Sequence, residues 1–177
     1  RRGADVTLVS GPVAIAPPPF VKVVNVKSAA DMAEAVKACY QDQQIIIKTA
    51  AVADYRPAHV ADEKIKKKEG DNVLELERTE DILAYLGANK QPGQFICGFS
   101  METENMLENS RAKLERKNID MIVANNLKVE GAGFGTDTNV VTMITKNDAI
   151  ELPQMSKEMV AKEILDKILD KMNRYMK

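Results

Sequence analysis

The sequence predicts an α/β protein: a doubly wound, mostly parallel sheet with a lysine-rich hairpin inserted in it. Three observations point there. Short β-branched runs alternate with segments of helical period along the chain. The run Ile45-Ile46-Ile47 is apolar without alternation, as expected of a strand buried on both faces of a parallel sheet. The opening, Arg2-Gly3-Ala4-Asp5 running into Val6–Ser10, reads as a helix end entering the second strand of a βαβ unit. On that reading the preceding strand, its glycine loop and most of the first helix are missing. Residues 1–177 then form one N-terminally truncated domain.

Gly11-Pro12 stops the first strand, and Phe20–Val26 is predicted as the next. Ser28 with Asp31 three residues later forms a variant capping box. The helix behind it carries Met32, Val36 and Cys39 on one face and ends near Tyr40. After Ile45–Ile47, Thr49–Pro57 reads as a loop. The basic segment 64–68, the turn Gly70-Asp71-Asn72 and the alternating run Val73–Glu77 read as a hairpin with Glu75 and Glu77 on its wet face. Thr79 is expected to cap a short helix to about Gly87. Strands follow at Phe95–Phe99 and Met121–Ala124, with a helix at about Asn105–Lys117 between them. Gly131–Asn139 is a glycine loop. Val140–Thr145 and Ile150–Leu152 are strands joined at Asn147-Asp148, and Ser156 opens a helix where Val160, Ile164, Ile168 and Met172 recur at helical spacing.

Composition narrows the function classes. The chain has 25 basic and 26 acidic residues, so its net charge of −1 supplies no general attraction to nucleic acid or anionic lipid. It has no Trp, and only four Phe and four Tyr, which leaves little for base-stacking platforms. No run of 18 apolar residues exists, so neither a membrane span nor a secretory signal is expected. Cys39 and Cys97 are far apart in apolar stretches and read as buried free thiols in a reducing compartment, which places the protein in the cytoplasm.

Ligands of open α/β sheets bind beyond the carboxyl ends of the strands. Four segments stand there: Thr49–Arg56, Gly98–Thr103, Asn125-Asn126 and Gly131–Asn139. In the first, Ala50-Ala51 would let a ligand approach the backbone, and Asp54 could meet Mg²⁺ or a base amino group; a tight turn with a surface Asp54–Arg56 pair fits equally. Lys64, Lys66, Lys67 and Lys68 offer point charges for a polyphosphate, or a solvated face. Lys113 and Lys117, four apart, could share an anion or simply stud a surface helix. The loop Gly131–Gly135 lacks the Lys-Ser/Thr ending of a P-loop. His59, the sole histidine, has no Cys near it in sequence and reads as a surface residue; the nine Met residues read as core filler.

Taken in order, several segments resemble the phosphopantothenate–cysteine ligase family, also called phosphopantothenoylcysteine synthetase. They are Ala50–Pro57, Glu63–Lys67, Asp81-Ile82, Gly98-Phe99 with Glu102-Thr103, Asp120–Asn125, and Gly133-Phe134 with Asp137 and Asn139. The resemblance runs from about Gly3 to the last helix and implies a Rossmann-like fold. It implies joining 4′-phosphopantothenate to L-cysteine, with CTP and Mg²⁺, through an acyl-cytidylate. It implies Lys64 against the triphosphate as the catalytic residue, and Ala50, Asp54, Asp81, Ile82 and Leu83 around the nucleotide. Phe99 would pack near the base, and Lys113 and Lys117 would contact the nucleotide. Metal ligands are not assigned. The family is a homodimer, and in bacteria it is usually fused to a flavin-dependent decarboxylase, where FMN would reside. The family's N-terminal asparagine is absent here, which implies weak nucleotide binding and poor turnover. Two other readings remain: an NAD(P)-binding Rossmann oxidoreductase, against which no Tyr-x-x-x-Lys pair follows a strand, and a non-catalytic nucleotide-binding domain.

Overall fold

In a computed structural model the described residues are 2–61, 63, 73–102, 105–126 and 135–175. The chain forms two compact units, Arg1–Cys39 with Ala51–Ile82, and Tyr40–Ala50 with Leu83–Lys177.

The first unit begins with two parallel strands, β1 (Thr7–Ser10) and β2 (Lys22–Asn25), in register Thr7↔Lys22 to Ser10↔Asn25. Helix α1 (Ala29–Cys39) packs on β1. Its start is the reciprocal box that the Ser28 and Asp31 spacing predicts. Asp31 N–H donates to Ser28 Oγ at 3.1 Å, and Asp31 Oδ2 accepts from the Ser28 and Lys27 N–H groups at 2.9 and 3.1 Å. These backbone donors hold the Asp31 carboxyl below its ordinary pKa.

The same unit holds β4 (Tyr55–Pro57) and β5 (Leu76–Arg78), an antiparallel pair. The partner of the Val73–Glu77 run was expected in the basic segment; the strand found opposite it is Tyr55–Pro57, read as loop from the sequence. Two cross-strand pairs explain the register. Arg56 faces Glu77 with Nε–Oε1 at 2.6 Å, and Arg78 lies 5.7 Å over the Tyr55 ring. The basic residues Lys64–Lys68 lie outside the described residues.

The second unit is built on a five-stranded sheet. Its strands are β3 (Ile45–Lys48), β6 (Phe95–Glu102), β7 (Met121–Asn126), β9 (Val141–Thr145) and β10 (Asp148–Glu151). The order is β10-β9-β7-β6-β3; β3, β6 and β7 run parallel, and β9 and β10 complete the sheet antiparallel. Two minor strands, β8 (Thr138–Asn139) and β11 (Met155–Ser156), pair with each other. Helices cover both faces, as the doubly wound prediction requires. Phe95, Cys97, Met121, Val123, Val141 and Met143 point to one face, against Val160, Ile164 and Ile168 of α4 (Lys157–Tyr175). The opposite face meets α2 (Ile82–Ala88) and α3 (Met106–Lys117). Ser156 Oγ accepts the Met159 N–H at 3.2 Å, so the predicted cap of α4 is present.

Three expectations are corrected. β3 is not buried on both faces: it ends the hydrogen-bonded order of the sheet, and Ile47 is 38% exposed, whereas β9 is buried throughout. Thr79 does not cap α2; its hydroxyl donates to the Ala53 carbonyl, and the helix starts at Ile82. Cys39 is half-buried, its Sγ donating to the Ala35 carbonyl at 3.2 Å, while Cys97 is fully buried; both are free. No described helix is long and apolar enough to cross a membrane.

Burial pushes the Cys97 thiol up to about 12. At pH 8 its thiolate fraction is then about 10⁻⁴. A thiol reagent should modify Cys39 in the folded protein and reach Cys97 only on unfolding; two equally fast cysteines in a stopped-flow trace would contradict this burial. The native state holds the proton longer, so the contribution is intact below about pH 9 and is lost as pH rises toward 12.

Candidate functional site

Strands β6 and β7 of the second unit end together at Glu102 and Asn126, while β3 stops at Lys48, level with Gly98, and the sequence-predicted residues of that unit lie near or behind these ends. Ala50 follows β3 by two residues and is half-buried. Phe99 lies on β6, half-buried and packed against the α4 side of the core. Asn125, next to last in β7, is half-buried, opposite Met101 of β6 and Val141 of β9.

Behind the other face, close helix packing sets the positions of Leu83, Lys113 and Lys117. Leu83 is 5% exposed, and its Cδ2 would lie 2.6 Å from a Cβ placed on Gly98, so α2 sits directly on β6 because residue 98 has no side chain. A Cβ on Gly87 would lie 1.6 Å from the Lys117 carbonyl oxygen, so the end of α2 touches the backbone of α3. There the chain leaves α3 through Asn118, in the left-handed conformation at φ 51°. The Asn118 N–H donates to the Glu115 carbonyl at 3.2 Å, the Ile119 N–H to Leu114 at 3.2 Å, and the Asn118 side chain to Gly87 at 2.8 Å. Lys113 and Lys117 are both half-buried one turn apart, between the exposed Arg111, Glu115 and Arg116. The spacing argument for a shared face therefore holds.

In the first unit, Asp54 is exposed just before β4. The Thr79 N–H donates to the Asp54 carbonyl at 3.0 Å, and its hydroxyl to Ala53. This ties the Ala53-Asp54 turn to the stretch that leads into Asp81, which is exposed, and Ile82, which is 4% exposed. Thr79 is the connecting residue that sequence reasoning assigned elsewhere; its place before a helix suits a cap, and only the long-range bond reveals its job. Arg56 pairs with Glu77, not with Asp54. The side chains of Ile82 and Leu83 are in the core, so what they can offer a ligand is backbone. Lys64, the catalytic candidate, and Gly133-Phe134 lie outside the described residues. His59 is exposed, as expected.

A cavity of about 830 Å³ opens at the opposite, amino ends of β3 and β6, lined in part by Asp42, Lys90, Asn118 and Asp120. Several of its polar groups are engaged by the fold. Asp120 accepts from Lys90 Nζ at 2.6 Å and from the Ile96 N–H at 2.7 Å. Gln94 donates to the Tyr40 and Gln43 carbonyls at 2.6 and 2.7 Å. Among the described residues, none of those predicted from the sequence as site residues lines it.

Compared with known proteins, residues 1–172 match the family described as the DNA/pantothenate metabolism flavoprotein C-terminal domain. The chain is 50% identical over 168 residues to the coenzyme A biosynthesis bifunctional protein CoaBC of Bacillus subtilis (strain 168), covering 94% of this chain and 41% of that protein. It is 44% identical over 180 residues to the protein of the same name from Escherichia coli (strain K12), covering 98% and 44%. Among solved structures, the C-terminal domain of a coenzyme A biosynthesis bifunctional protein CoaBC superposes with a TM-score of 0.81 at 48% identity, covering 97% of this chain and 78% of that one. The chain thus spans less than half the length of these two curated relatives.

Proposed function

The chain belongs to the DNA/pantothenate metabolism flavoprotein C-terminal domain family, and from that premise we propose that it is a phosphopantothenate–cysteine ligase of coenzyme A synthesis. The observation that carries the reading is 50% identity over 94% of the chain to a coenzyme A biosynthesis protein. In the proposed reaction the carboxylate of 4′-phosphopantothenate attacks the α-phosphorus of CTP. Pyrophosphate leaves, and an acyl-cytidylate forms. The cysteine amine then attacks the acyl carbon, CMP departs, and the amide remains after loss of a proton.

Two anions meet in the first step, so the site must supply positive charge where negative charge develops. Lys64 takes that role at the triphosphate, with Lys113 and Lys117 contributing from α3. Ala50 leaves room for the nucleotide beside the end of β3, Asp54 and the Asp81–Leu83 stretch hold it, and Phe99 borders the base. Among the described residues no group of three His, Cys, Asp or Glu side chains could cage a metal ion. A Mg²⁺ accompanying CTP would neutralise charge on the triphosphate oxygens. The protein acts as a homodimer in the cytoplasm, joined to or working with a decarboxylase that takes the product.

The test is to supply the protein with Mg²⁺, CTP, 4′-phosphopantothenate and cysteine, and to follow pyrophosphate and the amide product by mass spectrometry. Lys64→Ala should lower kcat by about 10²–10³, the scale for losing one donor at a developing charge. Product with ATP and none with CTP would overturn the nucleotide assignment. NAD(P)-linked hydride transfer without pyrophosphate release would replace the ligase by the oxidoreductase.

A further inference from the structure

Thr79 directly follows β5 and is tied twice to the chain that enters β4. Its N–H donates to the Asp54 carbonyl at 3.0 Å, one step beyond the Tyr55↔Arg78 pair where the β4–β5 ladder ends. A regular antiparallel ladder would answer with a bond from the Asp54 N–H to the Thr79 carbonyl. Among the described residues no such bond is made. The second tie is instead the Thr79 hydroxyl, which donates to the Ala53 carbonyl. On its other side, Glu80 takes the Lys37 ammonium of α1 on both carboxylate oxygens, at 2.6 and 2.7 Å, so the clasp is anchored within the same unit.

The consequence falls on Asp54. Its Cα stands between two rigid peptide planes, Ala53–Asp54 and Asp54–Tyr55, and Thr79 holds the carbonyl of each. With both planes held, the direction of the Asp54 Cα–Cβ bond is set. The carboxylate on that bond is exposed and pairs with no described residue, and the nearby Arg56 is taken by Glu77. A carboxylate accepts hydrogen bonds and repels phosphate, so beside a nucleotide its direction decides whether it helps or hinders. A group aimed in advance also need not be ordered when the ligand arrives.

Resting on the ligase reading, in which Asp54 holds the nucleotide, we propose that Thr79 is the positioning residue that aims the Asp54 carboxylate, through its hydroxyl bond to Ala53. Asp54 touches the nucleotide and Thr79 does not. Thr79→Val keeps the shape of the side chain and the N–H bond to Asp54, and loses only the hydroxyl. Thr79→Ser keeps the hydroxyl. Asp54→Ala removes the group that is aimed.

The experiment is calorimetric titration of the protein, in its natural length, with Mg²⁺–CTP and separately with 4′-phosphopantothenate. Thr79→Val should raise Kd for Mg²⁺–CTP about tenfold, the scale of one lost hydrogen bond, while Thr79→Ser stays within about threefold of the unaltered protein. Kd for 4′-phosphopantothenate should not move, and Tm should fall by only a few degrees. In an Asp54→Ala background, Thr79→Val should add less than about twofold, because nothing is left to aim. A purely structural Thr79 would lower Tm and leave Kd for Mg²⁺–CTP unchanged well below the melt. A Thr79 that touches the nucleotide itself would add its full loss to that of Asp54→Ala. Either result overturns the proposal, as does a Thr79→Ser variant that binds as weakly as Thr79→Val. If Thr79→Val does not fold, Thr79→Ala carries the same comparison with Thr79→Ser. Absence of Mg²⁺–CTP binding by the unaltered protein would overturn the ligase reading and this proposal together. Normal binding and product formation by the unaltered protein, with Thr79→Val equal to it, would overturn the positioning role alone.

Discussion

Gly87→Ala should be among the most damaging single-methyl changes in the second unit. The added Cβ would lie 1.6 Å from the Lys117 carbonyl oxygen, 2.8 Å from its carbon and 3.2 Å from the Asn118 oxygen, all of them backbone. No rotamer change can relieve that, so α2 and α3 must separate, and the Asn118 side-chain bond to the Gly87 carbonyl goes with them. The expected cost is at least about 3 kcal/mol, a fall in Tm of roughly 6–12 °C for a chain of this size. Gly98→Ala is the internal comparison. There the first obstacle is the Leu83 Cδ2 at 2.6 Å, the far end of a side chain, and the expected loss is about 1–3 kcal/mol. If urea melts rank Gly98→Ala as the worse of the two, the rigid-backbone explanation is wrong. Lys117 supplies the colliding carbonyl, so Gly87→Ala should also weaken any nucleotide held by Lys113 and Lys117.

Asp120→Ala is expected to cost about 2–3 kcal/mol. The carboxylate serves two groups at once, the Lys90 ammonium at 2.6 Å and the Ile96 N–H at 2.7 Å. The pair is about one-fifth exposed, and Lys90 can swing toward water when its partner is removed, which trims the penalty for breaking a buried ion pair. The Ile96 N–H cannot move, because β6 holds it, and it keeps the full cost of an unmet donor. Asp120→Asn, which retains an acceptor for that N–H, should recover about half the loss. Equal losses for Ala and Asn in chemical denaturation would place all the energy in the ion pair instead.

Elements with a strong internal period were readable from the sequence. Val160, Ile164 and Ile168 recur at helical spacing, and they are the residues that α4 buries. Ser28 with Asp31 marked the start of α1 through a bond closed within four residues. What escaped depends on distant partners. A run such as Ile45–Ile47 shows that a strand is apolar, but not how many strands lie beside it, and β3 proved to be the end of its sheet. The Tyr55–Pro57 strand is too short to carry a period, and its pairing is fixed by Glu77 and Arg78, about twenty residues on. The candidate site divides the same way. Phe99, expected at the end of β6, lies inside it, three residues before Glu102, but the places of Ala50 and Asn125 near strand ends were legible from the apolar runs that precede them. The direction of the Asp54 side chain was not, since it depends on hydrogen bonds from Thr79, distant in sequence.

The placement of α4 has a consequence for synthesis on the ribosome. Cys97, Met121, Val123 and Val141 are made roughly 20 to 70 residues before Val160, Ile164 and Ile168, the side chains that cover them. A nascent chain stalled at Leu152 would carry all five strands of the sheet with one apolar face open to water. The second unit is therefore expected to complete its fold only after α4 has cleared the exit tunnel, with that apolar face prone to aggregation until then.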